Sequence, residues 1–280
     1  MRKVKLPTHQ AKAVFETCIG KVKDPTLKVR LSSVSAIVEA EARSFATAIH
    51  AGNVHLLPEQ ALLNGDVKAK EMEAVYTSRM AKIGSPGRLI YDELMAAPVN
   101  DRCPLCGQRT VSTLDHYLPK TTHSALVVTP INLVPACKDC NTIKLASLPK
   151  RAGEVTLHPY FDDIEKEQWL TATIRRSSPI ALTFSICPPA TWDNLLTERV
   201  ENHFSQLKLA ELYASHAAEE VVNQRFALDR IFNAKGAVGV QAQLREQAET
   251  YAAANINSWQ AATYEAMASD NWFCEGGFAQ

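Results

Sequence analysis

The sequence has little glycine and no excess of proline, 11 and 14 of 280 residues. That scarcity excludes collagen-like and low-complexity architectures. No apolar run reaches the about 18 residues that a membrane span needs. The N-terminal residues MRKVKLPTHQ place no apolar stretch after their charges, so the expectation is no secretory signal, no membrane segment and a cytosolic protein. Net charge is lacking too: 30 Lys and Arg balance 30 Asp and Glu, which argues against coating nucleic acid by bulk charge alone. What is present is apolar material, 46% of residues, with 21% charged. That composition supports a packed core and shows no sign of bulk disorder.

The charge balance conceals an asymmetry. Residues 1–100 carry 14 basic and 10 acidic groups, and residues 101–154 carry 7 and 4. Residues 155–280 carry 9 and 16. The first 154 residues suit the approach of a polyanion, whereas the rest would repel one or simply present solvated helix faces.

There is no internal repeat. Residues 8–22, 28–50, 67–83 and 87–96 read as helices, the second because Leu31, Val34, Ile37, Val38, Phe45 and Ile49 fall near helical spacing. Composition changes at Ala97–Asp101, and a compact region with Cys, Pro and short apolar runs extends to about 160. Val111–Leu118 and Ala125–Thr129 read as short strands, and Asp139–Leu145 as the start of a helix. Leu170–Ile174 and Ile180–Ile186 read as two further strands, followed from Thr191 by helices interrupted at Gly236 and Gly239. The expected class is α+β: a helical region 1–98, a zinc-stapled module 99–160, and a β-hairpin with a helical C-terminal region over 161–280.

Seven cysteines in a cytosolic chain do not read as a disulfide framework. Cys18, Cys187 and Cys274 are scattered and receive no role. Cys103-Pro-Leu-Cys106 and Cys137-Lys-Asp-Cys140 form two CxxC pairs with 30 residues between them. Each short spacer aims two sulfurs at one point, and four thiolates complete a tetrahedral zinc shell with no open position. The expected zinc is therefore structural, which suits a module of roughly 60 residues near the lower limit for an adequate core.

The residues among these cysteines add chemistry. Asp115 and His116 end an apolar run, Asn132 lies sixteen residues after His116, Asn141 follows Cys140 directly, and Lys144 stands one helical turn on. A neutral imidazole takes a proton from water near neutral pH. A carboxylate and a carboxamide oxygen are hard ligands for Mg2+, and a lysine one turn away can meet a phosphate. Together they supply the parts for metal-assisted phosphodiester hydrolysis. Plain structural readings exist for each position: a strand-end pair at Asp115-His116, a turn residue at Asn132, a helix N-cap at Asn141.

The segment CPLCGQRTVSTLDHYLPKTTHSALVVTPINLVPACKDCNTIK resembles the HNH nuclease module, a ββα-metal fold, in the subtype whose cysteine pairs bind zinc. The resemblance covers about residues 100–150, with Asn141 where the family name has its second His. It implies that His116 is the general base and that Asp115 and Asn141 hold one Mg2+ or Mn2+. It also implies that Asn132, placed by the family in the second strand, braces the loop carrying the imidazole, and that Lys144 is an auxiliary phosphate contact. DNA is the implied substrate. His123, His158, Lys150-Arg151 and Arg175-Arg176 are weaker candidates for substrate contacts.

The order of the flanks, with HPYFDD, WLTATI and an Ala-rich helical tail, is similar to that of HNH effectors in Septu- and retron-type antiphage systems. That similarity implies a partner protein, an SMC- or ABC-like ATPase, and a role in host defence. Two other functions stay open: a non-catalytic zinc-ribbon adaptor that binds nucleic acid or protein, and a stand-alone restriction or mobile-element endonuclease.

Overall fold

The computed structural model describes residues 1–60, 62–144 and 149–280. The chain divides into two compact units, Met1–Asp163 and Ile164–Gln280. Both combine helices with small antiparallel sheets, an α+β architecture. The first unit contains the helical segment 1–98 together with the cysteine-bearing segment. It carries 21 basic and 16 acidic groups, the second 9 and 14.

In the first unit, helix α1 (Ala11–Ile19) buries Val14, Phe15, Cys18 and Ile19, one face at helical spacing. Pro25 opens α2 (Pro25–Ser33), and the Asp24 side chain caps it by accepting from Thr26 N at 2.9 Å. The single helix expected over 28–50 is two. Val34 leaves helical geometry (φ −99°, ψ 1°) and α3 begins after it (Ser35–His50). Periodicity alone did not reveal the corner, because Leu31, Val34 and Val38 are buried on both sides of it.

A two-stranded ribbon, β1 (Leu62–Leu63) and β2 (Val67–Lys68), turns through Asn64 and Gly65, both at positive φ. Helix α4 follows (Ala69–Arg79), with Glu71 accepting from Lys68 N at 3.0 Å, and then α5 (Arg88–Met95).

The cysteine-bearing segment runs strand, long connection, strand, helix. Strand β3 (Thr113–His116) pairs antiparallel with β4 (Leu133–Ala136), His116 opposite Leu133 and Leu114 opposite Pro135. Helix α6 (Lys138–Lys144) comes next. The sequence reading carried that helix to Leu145, which lies outside the described residues. The expected strand at Ala125–Thr129 is instead a 3-10 turn, Ser124–Leu126. Its apolar residues are buried under the helices rather than laddered to a neighbour.

One core joins helices and strands. Val14, Phe15, Val38, Met72 and Val75 pack with Leu114, Ala125, Val127, Val128 and Leu133. The helical segment supplies one wall of that core, so the ββα segment does not bury its apolar side alone.

In the second unit, β5 (Leu170–Arg175) and β6 (Ala181–Ile186) form a hairpin in register from Leu170–Ile186 to Arg175–Ala181. Helix α7 (Asn194–Gln206) is capped by Asp193, and α8 (Leu209–Ala254) breaks at Gly236 (φ 65°, ψ −165°). Gly239, the other expected interruption, lies within the helix. Helices α9 (Trp259–Ser269) and α10 (Asn271–Cys274) close the unit. The Asn257 side chain ties the turn before α9 to β5: its Oδ1 accepts from Trp169 N at 2.8 Å, and its Nδ2 donates to Glu167 O at 2.8 Å. Among the described residues no helix is long and apolar enough to cross a membrane.

Candidate functional site

The four paired cysteines converge. The sulfurs of Cys103, Cys106, Cys137 and Cys140 all lie within 4.8 Å of one another, and all four residues are buried. The backbone shapes both halves of the cluster. Gly107 N donates to Cys103 O at 2.7 Å with Gly107 at φ 68°, a turn that wraps the chain around the first pair. Cys140 N points at Cys137 Sγ at 3.4 Å. Four thiols in a closed, buried group form a site that can hold a structural metal ion such as zinc. A tetrahedral zinc shell needs sulfurs about 3.8 Å apart, from Zn–S bonds of about 2.3 Å. The cluster leaves no position for substrate.

On the same segment, β3 brings Asp115 and His116 to the wall of a cleft of about 380 Å³. Asn141 and Thr142 of α6, Lys120 and Thr121 of the loop after β3, and Tyr76 of α4 line it as well. Asp115, His116 and Asn141 thus share one cleft. Asn132 and Lys144 are absent from its lining and act behind it.

The His116 imidazole is fixed on two sides. Its Nε2 lies 2.9 Å from the carbonyl oxygen of Val127. A carbonyl only accepts, so Nε2 carries the proton and Nδ1 keeps the lone pair in the neutral ring. Tyr76 packs edge-on against the ring, centroids 4.4 Å apart, and its own hydroxyl donates to Leu114 O at 3.3 Å. Burial lowers the imidazole pKa to about 4, and the cations Lys120 and Lys144 add to that depression. The imidazole is therefore neutral at physiological pH.

Asn132 is fully buried in the 3-10 turn that precedes β4, one step before the strand in which the family pattern put it. Its Oδ1 accepts from Leu118 N at 2.8 Å, and its Nδ2 donates to Leu118 O and Leu126 O, both at 3.2 Å. These bonds tie the two ends of the 118–126 loop together, and Val127, which holds His116, follows directly.

Lys144 turns inward. Its ammonium donates to Asp115 Oδ2 at 2.7 Å, His116 O at 3.0 Å and Tyr117 O at 2.9 Å. An ammonium has three protons, and all three are used. The sequence reading gave this lysine to a phosphate, whereas here it neutralises Asp115 and pins the end of β3. Burial raises the Asp115 carboxyl above the usual carboxylate range, and Lys144 opposes that rise.

The weaker candidates lie elsewhere. His123 is buried, with Nδ1 3.0 Å from Thr122 Oγ1, and lines a separate cavity with Val54, Leu57 and Leu118. His158 is a core residue: Nε2 meets Ile131 O at 3.0 Å, and the ring packs on Tyr117 and Phe161. Arg151 pairs with Glu154 at 3.1 Å, and Arg176 with Asp270 at 3.4 Å in the second unit. Sequence reading missed Tyr76 and Lys120. Tyr76 lies almost forty residues before the motif, on a helix whose docking against β3 no local pattern announces. Lys120 stands four residues after His116, and nothing in its spacing separates it from any loop lysine.

No family model matches the chain, and no solved structure matches it. The chain is similar to protein ea31 of Escherichia phage lambda, 28% identical over 240 residues, which span 79% of each chain. That name states no activity.

Proposed function

We propose that the chain is an HNH-type endonuclease that hydrolyses phosphodiester bonds of DNA with a divalent metal, Mg2+ or Mn2+, and carries a structural zinc on its four cysteines. The observation that carries the reading is His116. Its imidazole is neutral, held through Nε2 by the Val127 carbonyl, and set in one cleft with Asp115 and Asn141. The strand–strand–helix order around the cysteine cluster supports it.

The donor set fits a hard divalent cation. A carboxylate residue and a carboxamide residue, Asp115 and Asn141, line the same cleft, and Mg2+ is commonly held by one or two carboxylates plus substrate phosphate oxygens. Asp115 and Asn141 would hold the ion. Bound there, the metal supplies positive charge against the phosphate and the leaving oxygen. His116 Nδ1 accepts the proton of the attacking water. Val127 O and Asn132 keep the imidazole aimed, and Lys144, 2.7 Å from Asp115 Oδ2, opposes the rise that burial gives the Asp115 carboxyl.

The wider setting belongs to the same proposal. The net positive charge of the first unit favours a polyanion. The order of the flanks is the ground for a role in host defence, in the cytoplasm, with an SMC- or ABC-like ATPase as the partner. One observation favours a second reading, a zinc-stapled adaptor without catalysis. The Asp115 charge is already answered by Lys144 at 2.7 Å, as in a purely structural ion pair.

Nicking of supercoiled plasmid by the purified chain with Mg2+, Mn2+ or EDTA, beside His116→Ala, decides between them. Metal-dependent nicking lost in the variant supports the nuclease. Absence of nicking by the parent, with and without the ATPase, supports the adaptor.

A further inference from the structure

We propose that Lys120 is the residue that grips the nucleic-acid backbone at this cleft, held over the ring of Tyr76 so that a phosphate on its ammonium lies beside His116. The inference rests on the reading of the cleft as a phosphodiester site.

Three observations converge on Lys120. First, the lysine that the motif suggests for phosphate has no proton to give: Lys144 is buried and spends all three donors on Asp115, His116 O and Tyr117 O. Freeing it would strand a buried carboxylate. Second, Lys120 is the cation among the residues lining the cleft. It is half-buried, and among the described residues its ammonium has no carboxylate partner; it lies over the Tyr76 ring, 5.7 Å from the centroid. An ammonium over an aromatic face keeps all three protons for an incoming acceptor.

Third, the backbone under it is set in advance. Pro119 fixes the start of the turn, and its carbonyl accepts from Thr122 N at 3.2 Å and His123 N at 2.9 Å. Lys120 and Thr121 sit at the tip of that closed turn. The start of the same turn is also anchored by Asn132, through Leu118. Tyr76 then serves two neighbours with one ring, in a T-shaped contact with His116, centroids 4.4 Å apart, and with its face under Lys120. Its hydroxyl, which donates to Leu114 O, holds the tip of the ring against β3. Tyr76 is a positioning residue and Lys120 a substrate contact.

The experiment measures binding of a short fluorescein-labelled DNA duplex to the full chain by anisotropy in EDTA, from about 50 to about 200 mM salt. Parent, Lys120→Gln, Lys120→Arg and Lys23→Gln are compared; Lys23 is exposed and outside the cleft. Loss of one phosphate contact lowers the slope of log K against log salt by about 0.9. The expected result is that fall in Lys120→Gln, with parent-like slopes in Lys120→Arg and Lys23→Gln. Equal slopes in Lys120→Gln and Lys23→Gln, or no salt-dependent binding by the parent, overturn the proposal. Failure of the nuclease reading is seen separately, as absence of metal-dependent nicking, and leaves this slope measurable. Cleavage that continues with unchanged KM in Lys120→Gln would sink the inference and leave the nuclease standing.

Discussion

His116 Nε2 and the carbonyl oxygen of Val127 stand 2.9 Å apart across the loop that joins the two strands of the ββα segment. The bond settles the tautomer without a carboxylate. A histidine oriented by an acidic partner would be stabilised as imidazolium. One oriented by a neutral carbonyl, half-buried and flanked by two lysines, is kept as the free base.

That arrangement has a pH signature. The folded pKa of His116 is about 4 against an ordinary 6.5, so the unfolded chain binds a proton between those values that the folded chain refuses. The stability that His116 contributes is whole above pH 6.5 and is lost as pH falls toward 4. Melting of the parent should therefore drop more than that of His116→Gln across this window. The acid limb of metal-dependent nicking should lie below pH 6.5, and a limb at or above 6.5 would contradict the assigned environment of the ring.

The cysteine cluster predicts coupled loss of metal and fold. Elemental analysis of the purified chain should find one zinc, and Cys140→Ala should lose it. Because binding and folding are linked in such sites, the variant should also lose several kcal/mol, on the order expected for structural zinc. An unchanged thermal transition in a metal-free Cys140→Ala protein would show that the four sulfurs cluster without a metal role.

The candidate site was legible in the sequence where chemistry is written in spacing. The cysteine pairs and the Asp115-His116 step are local patterns, and β3 and α6 fall where those patterns put them. The second strand was not legible. A proline argues against a strand, yet Pro135 sits in β4, whose sheet has two strands among the described residues and so leaves an edge where its missing N–H costs nothing. The apolar run Ala125–Thr129 reads as the better strand, although its side chains belong to a core shared with α1, α3 and α4. Lys144 was misjudged for a related reason: spacing places a lysine on a helix face, but only the fold reveals which acceptors fill its donors.

The pair Asp115–Lys144 should behave as a buried ion pair, with side chains 9% and 10% exposed. Lys144→Met leaves the carboxylate uncompensated and should cost about 3–5 kcal/mol in urea denaturation. The double variant Asp115→Leu, Lys144→Met should cost less than either single change. A Lys144→Met protein as stable as the parent would mean that the ammonium is not held by Asp115.

Asn132→Ala removes three hydrogen bonds from a fully buried position. The amide and carbonyl of Leu118 and the carbonyl of Leu126 lose their partner, at a combined cost of about 2–4 kcal/mol. The loop that carries Val127 should loosen with them. The expected readout is a lowered melting temperature together with a His116 ring whose NMR titration moves back toward 6.5, its ordinary value. Loss of stability with no change in that titration would make Asn132 a fold residue only.

The last prediction concerns the second unit. Gly236 interrupts α8 at φ 65° and ψ −165°, a region that only glycine enters cheaply. Nothing lies within 4 Å of the place a Cβ would take, so the cost of a side chain there comes from the backbone and not from a clash. Gly236→Ala should either pay about 1–3 kcal/mol to keep the break or straighten α8 and move the chain beyond it. Gly239 is a helical position, but a Cβ there would meet Lys235 Cβ at 2.4 Å and Ile231 Cγ2 at 3.2 Å. Its replacement therefore acts through side-chain crowding. Circular dichroism and urea melts of Gly236→Ala separate the two outcomes: lower stability at parental helicity means the break is retained under strain, and raised helicity means it is released. A Gly236→Ala protein identical to the parent in both would show that the break at this residue is not required by the fold.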